Sequence, residues 1–277
     1  MERENYFTSE RLKQNFYLQQ IDCNNDNSEI KLFRVLDGIQ PGFTEQLYNN
    51  LIINNFAEDE REEKNDFQAF YVNKPEINSL RENMNLIAIS NGKCIGLLTG
   101  MAFHNSKLGY FDYLVVDNSE RSKGVGGILF QAGKSILKNI AIKNGYNHDK
   151  LAVLLTVEKP EATLNINNGQ DSKKRLAFYE RQNCKRVIGM PCIVPEISDT
   201  TTGEQKPAID CYDWLIAGVN RDFKSGEIIM DRETALKFNI DNINLQYDNH
   251  GLKAEETETY KKILSSLENV IYVEDLF

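Results

Sequence analysis

Hydrophobic positions along this chain recur with two periods, and the switches between them outline its elements. Residues 30–36 interleave Ile30, Leu32, Phe33, Val35 and Leu36 with Lys31 and Arg34, which predicts a strand. Asp37-Gly38 and Pro41-Gly42 break it. Phe43, Leu47, Leu51 and Ile52 then recur at helical spacing, with Thr44 placed to cap a helix that runs to about Phe56. An acidic stretch at 58–63 follows, and a second helix or loop continues toward Tyr71. Leu86-Ile87-Ala88-Ile89 predicts a strand, Asn91-Gly92 a two-residue hairpin turn, and 94–101 the return strand. Residues 110–116 predict a third hydrophobic strand.

A glycine-rich turn comes next, then a helix over 125–143 whose Ile128, Leu129, Ala132, Ile136 and Ile140 share one face; Asn144-Gly145 ends it. Residues 151–157 are almost wholly apolar, as in a central strand covered on both faces. A loop at 165–169, a short helix at 173–181 and a strand at 186–190 complete this stretch. Beyond Pro195 the pattern thins to a polar loop at 198–207, a strand at 209–217 on the alternation of Tyr212, Trp214 and Ile216, and helical stretches at 233–238 and 253–267. Residues 1–28 are polar and Asn/Asp-rich at 22–27, which predicts a loosely docked lead-in. The layout is therefore a lead-in at 1–28, a core domain at 29–198 and a C-terminal extension at 199–277 on or beside that core.

Composition narrows the class. The 277 residues are 41% hydrophobic and 26% charged, enough for one large core or a core with a smaller module. The net charge of -9 argues against nucleic acid, which wants a basic face. No apolar run approaches the roughly 20 residues of a membrane span, and the first 15 residues lack a signal-peptide core, so a cytoplasmic setting is expected. The five cysteines form no CxxC pair and the three histidines are scattered, so reduced thiols and no metal site are expected.

The candidate chemistry sits on the glycine-rich turn. The apolar strand Tyr113-Leu114-Val115-Val116 runs into Asp117-Asn118-Ser119-Glu120, then Arg121-Ser122-Lys123-Gly124-Val125-Gly126-Gly127, and an amphipathic helix opens from there. The first helical amides lack intrahelical partners, the dipole adds positive character, and glycine lets a ligand approach the backbone. A pyrophosphate is the natural guest. Arg121 and Lys123 add charge that persists at neutral pH. A plain helix start is the bland alternative on glycine spacing alone. The Gly-Lys-Ser/Thr ending of a Walker loop is absent, and Gly124-Val125-Gly126-Gly127 breaks the spacing of a dinucleotide fingerprint.

In this context the chain resembles the GNAT superfamily of acyl-CoA-dependent N-acyltransferases. Arg121-Ser122-Lys123-Gly124-Val125-Gly126 matches its R/Q-x-x-G-x-G/A motif, and Phe178-Tyr179-Glu180-Arg181 stands where such proteins often carry a Y-E-K-L-G-F type segment. The resemblance covers roughly residues 30–193. It implies an α/β (α+β) fold with a mixed, mostly antiparallel central sheet flanked by helices. It also implies acetyl-CoA as acyl donor. The backbone of Leu114, Val115 and Val116 would pair with the pantetheine arm, one amide polarising the thioester carbonyl. The amides of Arg121, Ser122, Lys123, Gly124, Val125, Gly126 and Gly127 would hold the pyrophosphate. Tyr179 would protonate the leaving thiolate, its ordinary pKa of about 10 lying near that of a thiol. Asn118 replaces a common Pro, and Asn183-Cys184 replaces Gly-Phe, where Asn can still take left-handed angles.

The acceptor implied is an amine on a small molecule or protein, with a homodimer left open. Glu158, just past the 151–157 strand, is the first candidate base; a solvated strand-end carboxylate is the alternative. Glu58 or Glu60 could attract a cationic amine or form a solvated face. Tyr71, Tyr110 and Trp214 are expected to pack, and His104 to be an exposed loop residue. The rival to an N-acetyltransferase is a catalytically silent acyl-CoA-binding or partner-docking module on the same fold.

Overall fold

Residues 7, 12, 18–21, 30–36, 41–56, 61, 64–69, 80–147, 150–159, 169–193, 197–198, 205–206, 212–247, 255 and 257–277 are described in a computed structural model. The chain divides into two units: Met1–Ala102 with Phe111–Asn144, and Phe103–Tyr110 with Gly145–Phe277.

In the first unit the alternating segments form an antiparallel meander. Strand β1 (Leu18–Ile21) pairs with β2 (Lys31–Val35), β2 with β4 (Leu86–Ser90), and β4 with β5 (Lys93–Phe103). Strand β3 (Arg81–Asn83) adds to β5, and β6 (Gly109–Val116) lies along its other side. Bonds from Asp117 N to Ile95 O (2.9 Å) and Phe103 N to Leu108 O (2.9 Å) mark the two ends of the β5–β6 hairpin. The polar lead-in is thus partly built into the fold: β1 lies within it, and Phe7, 2% exposed, meets Phe43 edge-on at 5.3 Å between ring centres. Gln19 and Gln20 between Leu18 and Ile21 hid the period; the pairing is supplied by β2.

Past the end of β2, Pro41 and Gly42 open helix α1 (Pro41–Leu47), which continues through a π-helical turn, Tyr48–Ile52, and a last turn, Ile53–Asn55. Proline suits a first helical position, where its missing N–H has no acceptor to lose. Thr44 is consequently inside the helix, its hydroxyl donating to Pro41 O at 2.8 Å, rather than capping it. Phe43, Leu47, Leu51 and Ile52 are fully buried as their spacing requires. The second helix is α2 (Lys64–Ala69).

Helix α3 (Val125–Asn144) lies on β5 and β6 through two glycines. A Cβ at Gly96 would stand 2.9 Å from Leu129 Cδ1 and 3.1 Å from Val125 Cγ1, and one at Gly133 would stand 2.6 Å from Phe111 Cζ. Missing side chains on sheet and helix therefore set how closely α3 approaches the strands.

The second unit holds a sheet of order β7–β11–β8–β13–β12, each pair antiparallel. Its members are β7 (Ala152–Glu158), β8 (Lys185–Ile188), β11 (Tyr212–Gly218), β12 (Ile228–Asp231) and β13 (Val270–Glu274). A two-stranded ribbon joins β9 (Ile197–Ser198) to β10 (Gln205–Lys206). Helices are α4 (Gly169–Arg181), α5 (Arg232–Tyr247) and α6 (Glu258–Ser266). The apolar run is the buried strand β7, as expected. Strand β11, which follows residue 199, sits between β7 and β8, which precede it. Seven register pairs to β7, from Tyr212 against Glu158 to Gly218 against Ala152, carry it there. Trp214 is core, 2% exposed, its indole N–H donating to Pro191 O at 3.1 Å. Tyr110 is likewise buried. The described cysteines Cys94, Cys184 and Cys192 are buried. Among the described residues no helix is long and apolar enough to cross a membrane.

Candidate active site

The first unit builds the phosphate turn from backbone. Along β6, Phe111, Tyr113 and Val115 are buried while Asp112, Leu114 and Val116 are half-buried, the alternation of a strand with one wholly covered face. Tyr113 N donates to the hydroxyl of Thr99 at 2.9 Å, so a side chain stands in for a ladder carbonyl there. The strand ends at Asp117, whose carboxylate accepts from Ser119 N (2.8 Å) and Ser119 Oγ (2.6 Å) and so caps a 3₁₀ turn, Asn118–Glu120. These hydrogen bonds, aided by Lys93 and Arg121, hold the Asp117 carboxyl below the usual carboxylate range.

From there the backbone alternates in hand. Ser122 has φ +64° and Gly124 φ +85°, with neither Arg121 nor Lys123 in the left-handed region. Alternating φ sign is one backbone requirement of an anion-binding nest. The first bond of α3 runs from Ile128 N to Gly124 O at 3.1 Å, so the amides of Val125, Gly126 and Gly127 have no intrahelical acceptor. Residues 121–124 are exposed and nothing lies within 4 Å of a Cβ position at Gly124. This glycine is required by its backbone angle rather than by crowding. The arrangement fits a pyrophosphate. Its two cations differ: Lys123 pairs with Glu120 at 2.9 Å, whereas Arg121 donates to the neutral oxygens of Asn55 (3.0 Å) and Val116 (3.4 Å).

The second unit gathers the two candidate acid–base residues. Glu158 closes β7, its side chain 13% exposed, and pairs with Arg175 of α4 at 2.7 Å. Arg175 and Tyr179 are four apart on α4 and share a face. Tyr179 is half-buried; desolvation pushes its phenol well above the usual value, Cys184 adds to this, and Arg175 opposes it. The Asn183 turn forms as its residue type allows, with φ +58° and Cys184 N donating to Tyr179 O at 3.0 Å.

Sequence reasoning overlooked Arg175, although its place one turn before Tyr179 was the available signal. His104 is half-buried rather than exposed, its Nδ1 hydrogen-bonded to the Tyr146 hydroxyl. Glu58, Glu60 and Tyr71 lie outside the described residues.

Residues 45–151, the span that holds the glycine-rich turn, match the acetyltransferase (GNAT) family model. No curated protein matches the chain. Among solved structures it is similar to Ard1 from Thermoplasma volcanium, with 14% identity over 68% of this chain and 96% of that one, TM-score 0.42. It is similar to the ribosomal-protein-S18-alanine N-acetyltransferase of Escherichia coli, with 11% identity, 73% and 99% coverage and TM-score 0.42. A GNAT-family acetyltransferase of Staphylococcus aureus Mu50 gives 14% identity, 69% and 99% coverage and TM-score 0.42.

Proposed function

We propose that this chain moves an acetyl group from acetyl-CoA directly to a primary amine of a small molecule or protein in the cytoplasm. The observation that supports the reading is the turn from Ser122 to Gly127 at the start of α3, exposed over Ser122–Gly124, where positive φ at Ser122 and Gly124 adjoins helix amides without intrahelical acceptors. In this reading the amides of Arg121 through Gly127 hold the pyrophosphate, and the backbone of Leu114, Val115 and Val116 pairs with the pantetheine arm. The amine nitrogen attacks the thioester carbonyl, the C–S bond breaks, and the thiolate leaves with a proton from Tyr179. The ammonium proton passes to Glu158, directly or through water, leaving an amide and free CoA. A phenol held above its usual pKa stays protonated at neutral pH and is available to donate.

The test is calorimetry with acetyl-CoA, followed by thiol release across polyamines, aminoglycosides, amino acids and peptide N-termini. Binding plus amine-dependent thiol release supports the reading. Binding with no release across the panel replaces it with the silent acyl-CoA-binding module, and no binding removes the cofactor assignment.

A further inference from the structure

The end of α1 touches the phosphate turn at one point. Asn55 is half-buried and held by both ends of its amide: Nδ2 donates to Leu51 O at 2.7 Å and Oδ1 accepts from Arg121 Nη2 at 3.0 Å. The carbonyl it takes is one that the irregular helix end supplies. After the π-helical turn Phe56 N bonds to Ile52 O at 3.1 Å, and the side chain of Asn54 takes the carbonyls of Asn49 (3.3 Å) and Asn50 (3.0 Å). Leu51 O is served by Asn55. The amide is thereby oriented, with its oxygen toward the guanidinium.

We propose that Asn55 is a positioning residue for the cofactor, holding Arg121 at the rim of the nest through a neutral acceptor so that its charge stays available to the pyrophosphate. This rests on the acetyl-CoA reading. Three features support it. Arg121 is an exposed, flexible side chain whose rotamer freedom would otherwise be lost on binding. Its hydrogen bonds are to uncharged oxygens, Asn55 Oδ1 and Val116 O, with the Asp117 carboxylate acting on it only through the longer-range field, while the neighbouring Lys123 is directly paired with the Glu120 carboxylate. A carboxylate at position 55 would grip the guanidinium more strongly but would cancel the charge the anion needs.

The experiment measures acetyl-CoA affinity by calorimetry, kcat with an accepted amine, and thermal midpoint for wild type, Asn55→Ala, Asn55→Asp, Arg121→Ala and the Asn55→Asp/Arg121→Ala double variant. Asn55→Ala is expected to weaken binding roughly 3- to 10-fold with kcat unchanged, the size of a typical net hydrogen bond. Asn55→Asp should weaken it further while its thermal midpoint equals or exceeds wild type, and should have no additional effect once Arg121 is gone. An Asn55→Asp variant that binds like wild type, or whose penalty adds in full to that of Arg121→Ala, overturns the proposal. Failure of the wild-type chain to bind acetyl-CoA overturns the cofactor reading itself.

Discussion

Adding one methyl group at Gly96 should damage the cofactor site from beneath. The new Cβ would lie 2.9 Å from Leu129 Cδ1, 3.1 Å from Val125 Cγ1 and 3.3 Å from Val115 O. Carbon atoms prefer about 3.5–4.0 Å. Leu129 can rotate away, but Val125 is stiff at χ1 and Val115 O is backbone, so the relief must come from α3 lifting off β5. Overpacking of this kind costs about 1–3 kcal/mol. Alanine recovers roughly 0.5–1 kcal/mol over glycine in a strand, leaving a net loss of about 1–2 kcal/mol. Because Val125 is the first residue of α3, the displaced segment is the nest itself, and acetyl-CoA affinity should fall about tenfold, which corresponds to 1.4 kcal/mol. Gly133→Ala is the control. Its Cβ would stand 2.6 Å from Phe111 Cζ, a harder clash, but two turns further along the helix. There helix propensity returns about 1 kcal/mol, and affinity should change by less than about threefold. The lone Trp214 belongs to the other unit and would report the wrong event, so hydrogen exchange over α3 is the stability measure and calorimetry the binding one. Wild-type exchange and affinity in Gly96→Ala, or equal affinity losses in both variants, would refute the reasoning.

Tyr179→Phe should lower kcat at least about 100-fold with acetyl-CoA affinity unchanged, the lower range for general acid catalysis; equal turnover removes Tyr179 from the acid role. The alkaline limb of wild-type activity should not fall at the ordinary phenol pKa of about 10, because burial raises this group. Burial also pushes the Cys94 thiol from 9.0 to about 12. A raised folded-state pKa gives stability that is complete below pH 9 and lost as pH rises toward 12, so Cys94→Ala should flatten the stability curve in that window. Denaturation midpoints at pH 8 to 11 check this. Glu158→Gln should reduce kcat at neutral pH, whereas a purely structural Glu158–Arg175 pair would make Glu158→Gln and Arg175→Ala alike, each costing about 1 kcal/mol or less with kcat intact.

What was legible in the sequence is what the backbone encodes locally. The alternation around Leu32 and Ile87 became paired strands, the stripe from Leu129 to Ile140 became α3, and the apolar run became β7. The short strands β1, β12 and β13 were not legible as such. Val270, Ile271, Tyr272 and Val273 carry β-forming side chains, but β13 owes its place to β8 and β12, both distant in sequence. Tyr212, Trp214 and Ile216 announced a strand correctly, yet nothing in their spacing said that its partners would be β7 on one side and β8 on the other. Thr44 has the residue type of a cap for α1, but Pro41 opens the helix, as its fixed φ suits a first helical position, and Thr44 falls inside it.

The two halves of the chemistry differ in the same way. Phosphate recognition needs donors whose directions follow from φ at Ser122 and Gly124 and from the start of one helix, all within seven consecutive residues, so a motif can carry it. The acid–base groups need side chains brought from separate elements. Glu158 ends a strand, Arg175 and Tyr179 lie on a helix 17 or more residues later, and the 2.7 Å pair between the first two joins them only once α4 has packed. The same holds in the first unit, where Asn55 reaches Arg121 across 66 residues. A substitution within the motif should therefore act on binding through local backbone geometry. Substitutions at Arg175 or Asn55 should act through charge placement, separable by kcat and affinity measurements even when stability is unchanged.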